Sequence, residues 1–534
     1  MIQTLSKVTD EAIAQIVEEM RVRRTTEVFL LFPMGSQFDH LIKQKLDKLG
    51  VFCLVADPAT VRVEDIRRLR PIGIIISGGP ASVHSEPPPF DTAILGLGIP
   101  VFGICLGFQM ISKFAGCTVE PAEEREFGPH VFSRIGNSPL FRDCPQSFRV
   151  IQSHGDAVIA DHSGFEVLGS TENAPVAAGR FRHLSGVQFH PEVEDTQHGD
   201  VIFDNFCFGT CRAKDRFPAE NLALLKVEQV RKQIEGKKVL LALSGGSDSS
   251  TVAYILKHAI KEEAGRVRAV YIKGIDRPDD ERFVGECFGT VLWLELVVVD
   301  ATDRFLAVLA GKTAMKEKRR AMKSVYREVL EEQAVDFGAH FIAQGTLYTD
   351  LSESGQGYVS GARKATIKEH HNTVNNFSLP ELIPLSDCVK DGCRNIGRAL
   401  GVPEDLLVRH PFPGPGLVVR IEGEVTADKL RIARKVDDIY LAGLRKWDLY
   451  KTVWQAGGVI TSTVTTCTKG DDATSGILVV LWAVWSVNGF TARWAELPPD
   501  FIREVSTQIT DQIREVGAVA YRVSDKPPST LEMG

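Results

Sequence analysis

No two of the ten cysteines form a Cys-x-x-Cys pair, and no cysteine–histidine cluster has zinc-finger spacing. Cys207 and Cys211, like Cys388 and Cys393, are close in sequence but lack a second ligand pair. Neither a disulfide framework nor a structural zinc site is expected, and the cysteines read as reduced thiols. The opening MIQTLSKVTDEAIAQ has no apolar signal core, and the best uncharged apolar stretch, Ile477 to Trp485, is far too short to cross a bilayer. The expected location is cytoplasmic, with no membrane partner. Positive charge is not in excess either. With 62 Lys and Arg against 69 Asp and Glu, the net charge is −7 and argues against a protein built to hold nucleic acid. The short basic run Lys316 to Arg320 reads as a solvated helix face. There is no internal repeat and no low-complexity segment.

What remains is an ordinary globular composition over 534 residues, 44% hydrophobic and 25% charged, too long for one core. Residues 1–25 read as an amphipathic helical extension, with Ile13, Ile16, Val17 and Met20 at helical spacing. From residue 26 short apolar runs (EVFLLF, GVFCLVA, GIIISGG, VFGICLG) alternate with helical stretches, the pattern of a mostly parallel α/β sheet. Hairpin-like segments follow from Thr118 to Gln188, and this region closes near Arg212. A helix then leads into a second α/β cycle, over 213–416, with strands in KKVLLALSGG, RVRAVYIKG, LWLELVVVD and AHFIAQGT. HPFPGPG, at His410 to Gly416, cannot continue a helix. Residues 417–534 mix long helices with β-rich runs.

GICLG, Gly103 to Gly107, sets a cysteine between glycines just after a strand, the pattern of a nucleophile elbow. Alone it reads equally as a core cysteine in a tight turn. GVQFHPE adds His190 and Glu192 at the end of another apolar strand. A thiol is mostly protonated at neutral pH, so an attacking cysteine needs a base, and the base needs an orienting carboxylate. With SGGP (Ser77 to Pro80), Gln109 and SHGD (Ser153 to Asp156), the region 26–212 resembles a class I glutamine amidotransferase domain. The resemblance implies that Cys105 attacks the glutamine side-chain amide, with His190 as proton shuttle oriented by Glu192. Gly79 and Leu106 would supply the oxyanion hole, and Gln109, Ser153, His154 and Asp156 would help hold glutamine.

LALSGGSDSSTVA, from Leu241, crowds glycines and hydroxyls where a strand gives way to a helix, a ready anion site. It lacks the Lys-Ser/Thr ending of a Walker A motif, which excludes a GTPase or kinase reading. It is similar to the pyrophosphate loop of N-type ATP pyrophosphatases. That resemblance assigns ATP to Ser244, Gly245, Gly246, Ser247, Asp248, Ser249, Ser250 and Gly345. Further motifs follow in order: AQGTLYTDLSES, IKEHHN, Lys390-Asp391 with Arg394, RHPFPGPGL, and a terminal YRVSDKPPSTLE. Together they resemble the GMP synthetase family over nearly the whole chain. The fold this implies is α/β: a class I amidotransferase domain, an adenine-nucleotide alpha-hydrolase-like ATP pyrophosphatase domain, and a C-terminal α+β dimerisation domain. The resemblance implies ATP and Mg2+ as cofactors and adenylation then amination of xanthosine 5′-monophosphate (XMP). It also implies Asp248 and Asp350 for metal, Lys390 for phosphate charge, and Arg319, Gln455, Lys526, Thr530 and Glu532 for the acceptor. A homodimer is expected.

Several departures fall where the acceptor should sit. TVTTCTKGDDATSG, Thr463 to Gly476, replaces the family's GVMGDGR-like hairpin, and Trp482 stands for the arginine of the following strand. A guanidinium fork gives bidentate phosphate recognition, so its loss matters. YIKGIDRP replaces a Val-Asp-Asn-Gly pattern, the stretch between Asn372 and Lys390 is shortened, and Glu-Met-Gly ends the chain where Glu-Trp-Glu is usual. Two versions of the ligase stay open: a housekeeping GMP-forming enzyme, and a paralogue with both chemistries but another purine-like acceptor. A tRNA-thiolating or NAD-forming ATP pyrophosphatase is disfavoured by the amidotransferase half and the KPPST terminus. A catalytically dead nucleotide-binding regulator is disfavoured by the survival of Cys105, His190, Glu192 and the SGGSDS loop.

Overall fold

A computed structural model describes residues 4–36, 38–83, 89–217, 219–277, 279–347, 377–388, 390–412, 414, 416–469, 472–486, 492–526 and 529–532. The chain forms two compact units, one up to Leu225 and one from Lys226 onward.

The first unit holds helices α1 (Asp10–Arg23), α2 (Asp39–Lys48), α3 (Val63–Leu69), α4 (Leu106–Phe114) and α5 (Gly199–Asp204). Its strands are β1 (Phe29–Phe32), β2 (Cys53–Val55), β3 (Gly73–Ile76), β4 (Val101–Ile104), β5 (Thr118–Arg134), β6 (Ser147–Ile159), β7 (Glu166–Ser170), β8 (Ala178–Phe181) and β9 (Leu184–Val187). They make one nine-stranded sheet in the order β2-β1-β3-β4-β9-β8-β7-β5-β6. Strands β2 to β9 of that order's first half are parallel, and the rest antiparallel. The parallel strands are continuously apolar because helices cover both faces. Their C-terminal ends open where α/β sheets bind ligands. The N-terminal residues join this unit: Leu5 extends the sheet edge by bonding Val55 and Asp57, and Ile16 is buried. Val17 instead points to solvent, because helical spacing alone gives no direction to the second of two adjacent apolar residues.

The second unit begins within α6 (Ala219–Ile234) and carries β10 (Val239–Ala242), α7 (Ser247–Ala259), β11 (Val267–Lys273), α8 (Asp280–Phe288), β12 (Leu294–Asp300), α9 (Thr302–Leu309), α10 (Met315–Phe337), β13 (Phe341–Ala343) and β14 (Glu381–Leu382). These five strands form a parallel sheet, β12-β11-β10-β13-β14. Then come α11 (Lys390–Ala399), α12 (Glu404–Leu407), α13 (Ala427–Lys446), β15 (Gln455–Lys469), β16 (Asp472–Trp485), β17 (Arg493–Trp494), α14 (Pro499–Gln512) and β18 (Val516–Tyr521). In this second sheet β16 pairs β15, β17 and β18. One face, with Ala456, Ile460, Val479 and Leu481, packs into the core with α13 and α14. The opposite face carries Val459, Trp482 and Val484.

The basic run is not wholly solvated, contrary to the sequence reading. Lys318 is fully buried, on the α10 stripe of Met322, Val325 and Val329, and donates to the Ile421 carbonyl at 2.9 Å. Burial pushes its ammonium down to about 8.

The elbow makes the first stability expectation. A Cβ on Gly107 would lie 2.3 Å from the Ile76 carbonyl oxygen, so β3 must move to admit it. Gly107→Ala is expected to destabilise the first unit by about 3 kcal/mol. A thermal scan should show its transition lowered by on the order of 10 °C.

Candidate active site

In the first unit, β4 delivers Cys105 to the start of α4 with φ 50° and ψ −106°, a strained conformation for a residue with a side chain. The turn lifts the thiol out of the sheet toward the middle of β6 and the residue just after β9. Cys105 Sγ lies 3.6 Å from the Ser153 carbonyl and 3.6 Å from Gln188 Nε2. His190, just after β9, faces Cys105, whose sulfur draws its protonation upward, and its Nδ1 is 2.7 Å from Glu192 Oε1. Burial alone pushes this imidazole down, but the Glu192 charge and the Cys105 contact outweigh it and hold His190 well above the ordinary histidine value. The arrangement therefore favours an imidazolium beside the Cys105 sulfur. That contribution to stability is complete below the unfolded histidine value near 6.5 and is lost as pH rises through the raised folded value.

The other expected residues of this half converge here. Gly79 sits against the Met34 carbonyl and the Leu106 side chain. Gln109 Nε2 reaches the Asp156 carbonyl at 3.3 Å and Gln188 at 3.4 Å, and Asp156 accepts from Ser82 Oγ at 3.1 Å. His154 bonds Glu126 at 3.1 Å. The sequence reading missed Glu126, Gln188 and Asp39. Asp39, in the first turn of α2, is buried, and burial raises its carboxyl well above the usual range while the Ser77 side chain opposes. Its neighbour Phe38 packs edge-on to His190 at 5.7 Å.

Glu192→Gln keeps the shape of the site but removes the charge that sustains the imidazolium. Glutaminase kcat/KM is expected to fall about 100-fold at neutral pH, the low end of a general-base contribution. A pH profile from 5 to 9 checks it, with the imidazolium form confined to lower pH than in the parent.

In the second unit the loop between β10 and α7 is folded on its own hydroxyls. Ser249 Oγ lies 3.1 Å from Ser244 Oγ and receives the Ser244 N–H at 3.2 Å, and Gly246 N–H turns to Ser244 Oγ at 3.4 Å. Ser247 Oγ donates to Asp248 Oδ1 at 3.1 Å. The buried Ser250 hydroxyl has no partner among the described residues. Gly345 closes the loop: a Cβ there would lie 2.7 Å from the Ser249 nitrogen. Lys390, opening α11, straddles Asp248 with 2.9 Å contacts to both oxygens. Arg409 donates to the Gly245 carbonyl at 3.1 Å and pairs with Asp280. Asp350 and the IKEHHN stretch lie outside the described residues. Among the described residues no cluster of three His, Cys, Asp or Glu could hold a metal. One carboxylate beside a phosphate loop still suits Mg2+, which takes one or two protein carboxylates and completes its shell with phosphates and water.

The expected acceptor residues split. Glu532 is buried, bidentate to Arg420 at 3.1 and 2.9 Å, and accepts from Gln455 at 2.9 Å. Arg420 also binds Asp437 at 2.5 Å, and Asp437 receives Arg277 at 2.7 Å. Thr530 donates to the Glu532 carbonyl at 2.5 Å, and its own carbonyl accepts from Arg522 at 3.2 Å. Lys526 is tied through its backbone to Ala492. Arg319 is half-buried in the second turn of α10, beside Lys318. Trp482 is fully buried, with the Arg522 guanidinium 5.1 Å and the Arg420 guanidinium 5.6 Å from its ring. Two guanidinium groups thus lie near the indole, that of Arg420 already paired with Glu532 and Asp437. Arg420, Asp437 and Arg277 were not foreseen.

The sequence profile of glutamine amidotransferase class-I matches residues 30–210, that of NAD synthase 221–323, and that of the GMP synthase C terminal domain 442–533. A GMP synthase (glutamine-hydrolyzing) of Caldanaerobacter subterraneus is 37% identical over 517 residues, covering 95% of this chain and 99% of the relative. That of Aquifex aeolicus is 40% identical over 511 residues, covering 94% and 98%. That of Bacillus cytotoxicus is 35% identical over 522 residues, covering 96% and 100%. The chain is thus a class I amidotransferase domain followed by an NAD synthase-like ATP pyrophosphatase domain and a C-terminal domain of the kind found in these relatives. Among the described residues no helix is long and apolar enough to cross a membrane.

Proposed function

The chain belongs to the family of glutamine-hydrolysing GMP synthases, and on that premise we propose that it converts XMP to GMP with glutamine as nitrogen donor and ATP as the activating substrate. The observation that carries this reading is the presence, in one chain, of a cysteine held between His190–Glu192 and the Ser153 carbonyl, and a serine–glycine loop with Lys390 on Asp248.

Cys105 Sγ attacks the amide carbon of glutamine, and His190 gives its proton to the departing ammonia, leaving a thioester. The N–H groups of Gly79 and Leu106 stabilise the tetrahedral oxyanion. His190 then takes a proton from water as it hydrolyses the thioester to glutamate. At the second site residues 244–250 and Gly345 hold ATP. The C2 oxygen of XMP attacks the α-phosphorus and pyrophosphate leaves. Ammonia adds at C2 and AMP departs, so one nitrogen is gained for one ATP split. Lys390 offsets charge on the phosphates. Asp248, with Asp350, would hold Mg2+, which supplies electrostatic neutralisation of the triphosphate. Gln455, Lys526, Thr530, Glu532 and Arg319 hold the acceptor. The enzyme is read as a cytoplasmic homodimer joined through residues 417–534, with amidotransferase residues 26–212 and ATP pyrophosphatase residues 213–416.

Trp482 supports a second reading, a paralogue that amidates another nucleotide-like carbonyl. An indole adds apolar volume where a phosphate-binding fork is lost, but the likeness to GMP synthases over nearly the whole chain keeps the XMP reading ahead. Incubation with ATP, magnesium, glutamine and either XMP or other purine nucleotides separates the two. GMP is the expected product, and amination of another acceptor with none from XMP would replace the first reading with the second.

A further inference from the structure

The chemistry above leaves Glu126 without a role. It is fully buried, at the point where β5 regains its pairing with β6 after a shift beginning at Pro121, and His154 stands opposite it. Its carboxylate accepts the Thr171 hydroxyl, which lies 2.8 and 2.9 Å from its two oxygens, and the Asn173 N–H at 3.2 Å. Both oxygens are thus used as acceptors. His154 Nε2, at 3.1 Å, is then the protonated ring nitrogen and donates to it. On the other side Nδ1 lies 2.9 Å from the Asp156 carbonyl, which can only accept. The ring therefore sits between two acceptors and is satisfied at both ends only when it carries a second proton. Burial opposes that proton and pushes His154 below the ordinary range, while Glu126 and the carbonyl draw it back up.

The pair sits directly behind the nucleophile. Ser153 turns its carbonyl to Cys105 Sγ, and the Asp156 carbonyl also receives Gln109. Resting on the glutaminase reading above, we propose that Glu126 is a positioning residue for glutamine. By fixing the Nε2–H form of His154 it holds segment 153–156 against Cys105, and the clamp tightens when the ring gains its second proton. The charged and titratable groups around the ring are Glu126 and His130 on β5, Arg125 beside Gly155, the Asp156 carboxylate on β6, and His190 after β9.

Glu126→Gln tests this without opening a hole. The amide can give its N–H to Nε2 while Nδ1–H gives to the Asp156 carbonyl, so a neutral ring is fully paired in the opposite tautomer. In the parent, KM for glutamine is expected to fall as pH drops through the depressed value of His154. In the variant that pH dependence disappears, KM rises about tenfold (one hydrogen bond to a charged group), and kcat stays within about twofold. Amination with ammonium supplied directly is unchanged, which shows the second unit intact, and the near-parental glutaminase kcat shows that the first unit is folded. A variant with the parental KM at every pH overturns the proposal. Ring 15N spectra of the parent give a reading independent of any variant: the neutral His154 must be Nε2–H, and an Nδ1–H ring overturns the role of Glu126. If the parent hydrolyses no glutamine although the tautomer is as expected, the functional reading falls and this role with it.

Discussion

Cys105→Ala is expected to lose glutamine-dependent amination by at least about 10⁴-fold while amination from ammonium salts stays near the parental rate. Cys105 is the thiol set beside His190 and Glu192, and removal of a nucleophile leaves only binding and oxyanion stabilisation. The site will accept the smaller side chain: Cys105 is buried but touches the Ser153 carbonyl and Gln188 through sulfur alone, and its strained backbone is no worse for alanine. Glutamate release and ammonium-fed product formation, measured in parallel, separate the halves. If both activities vanish together, ammonia is not the intermediate linking them. If glutamate release persists, Cys105 is not the nucleophile.

The second large effect concerns Lys390. Its ammonium is shared equally by the two oxygens of Asp248 at 2.9 Å, at the mouth of the serine–glycine loop. In that position it can turn to the phosphates when ATP arrives and neutralise charge that grows as pyrophosphate leaves. Lys390→Ala is expected to lower AMP and pyrophosphate formation by about 10³-fold with either nitrogen source. Glutaminase measured alone should be unaffected. Lys390→Arg should restore little, since the guanidinium fork would lock onto both Asp248 oxygens and lacks the compact, freely turning ammonium that can move to the phosphates. Normal adenylation in the alanine variant would return Lys390 to the bland reading of a charge that only balances Asp248.

The elbow and the phosphate loop were legible because each is local. Glycine on both sides of Cys105 encodes a turn that closes within five residues, and a strand, a glycine pair and hydroxyls encode the anion loop within ten. The parallel strands of both α/β sheets followed from apolar runs such as FLLF, GIII, VFGI and VLLA. Arg420 was hidden for the opposite reason. Its partners Asp437 and Glu532 are 17 and 112 residues away, and nothing in either segment announces a buried charge. Glu126 lies in an otherwise exposed polar run and is buried only because the register shift turns it inward against Thr171 and His154. Lys318 was discoverable: its spacing to Met322, Val325 and Val329 is that of one helix face, and the charge of its neighbours obscured it. Trp482 was recognised as a departure, yet only the fold shows two guanidinium groups near it.

The central claim is that nitrogen freed by Cys105 ends on a carbonyl carbon activated by ATP. The most direct measurement supplies glutamine labelled with 15N in its side-chain amide, together with ATP, magnesium and XMP, and follows nitrogen and phosphorus by NMR. The account expects 15N in the exocyclic amino group of GMP, with AMP and pyrophosphate each formed in equal amount to it. GMP carrying no label, or AMP and pyrophosphate released with no aminated product, would contradict it.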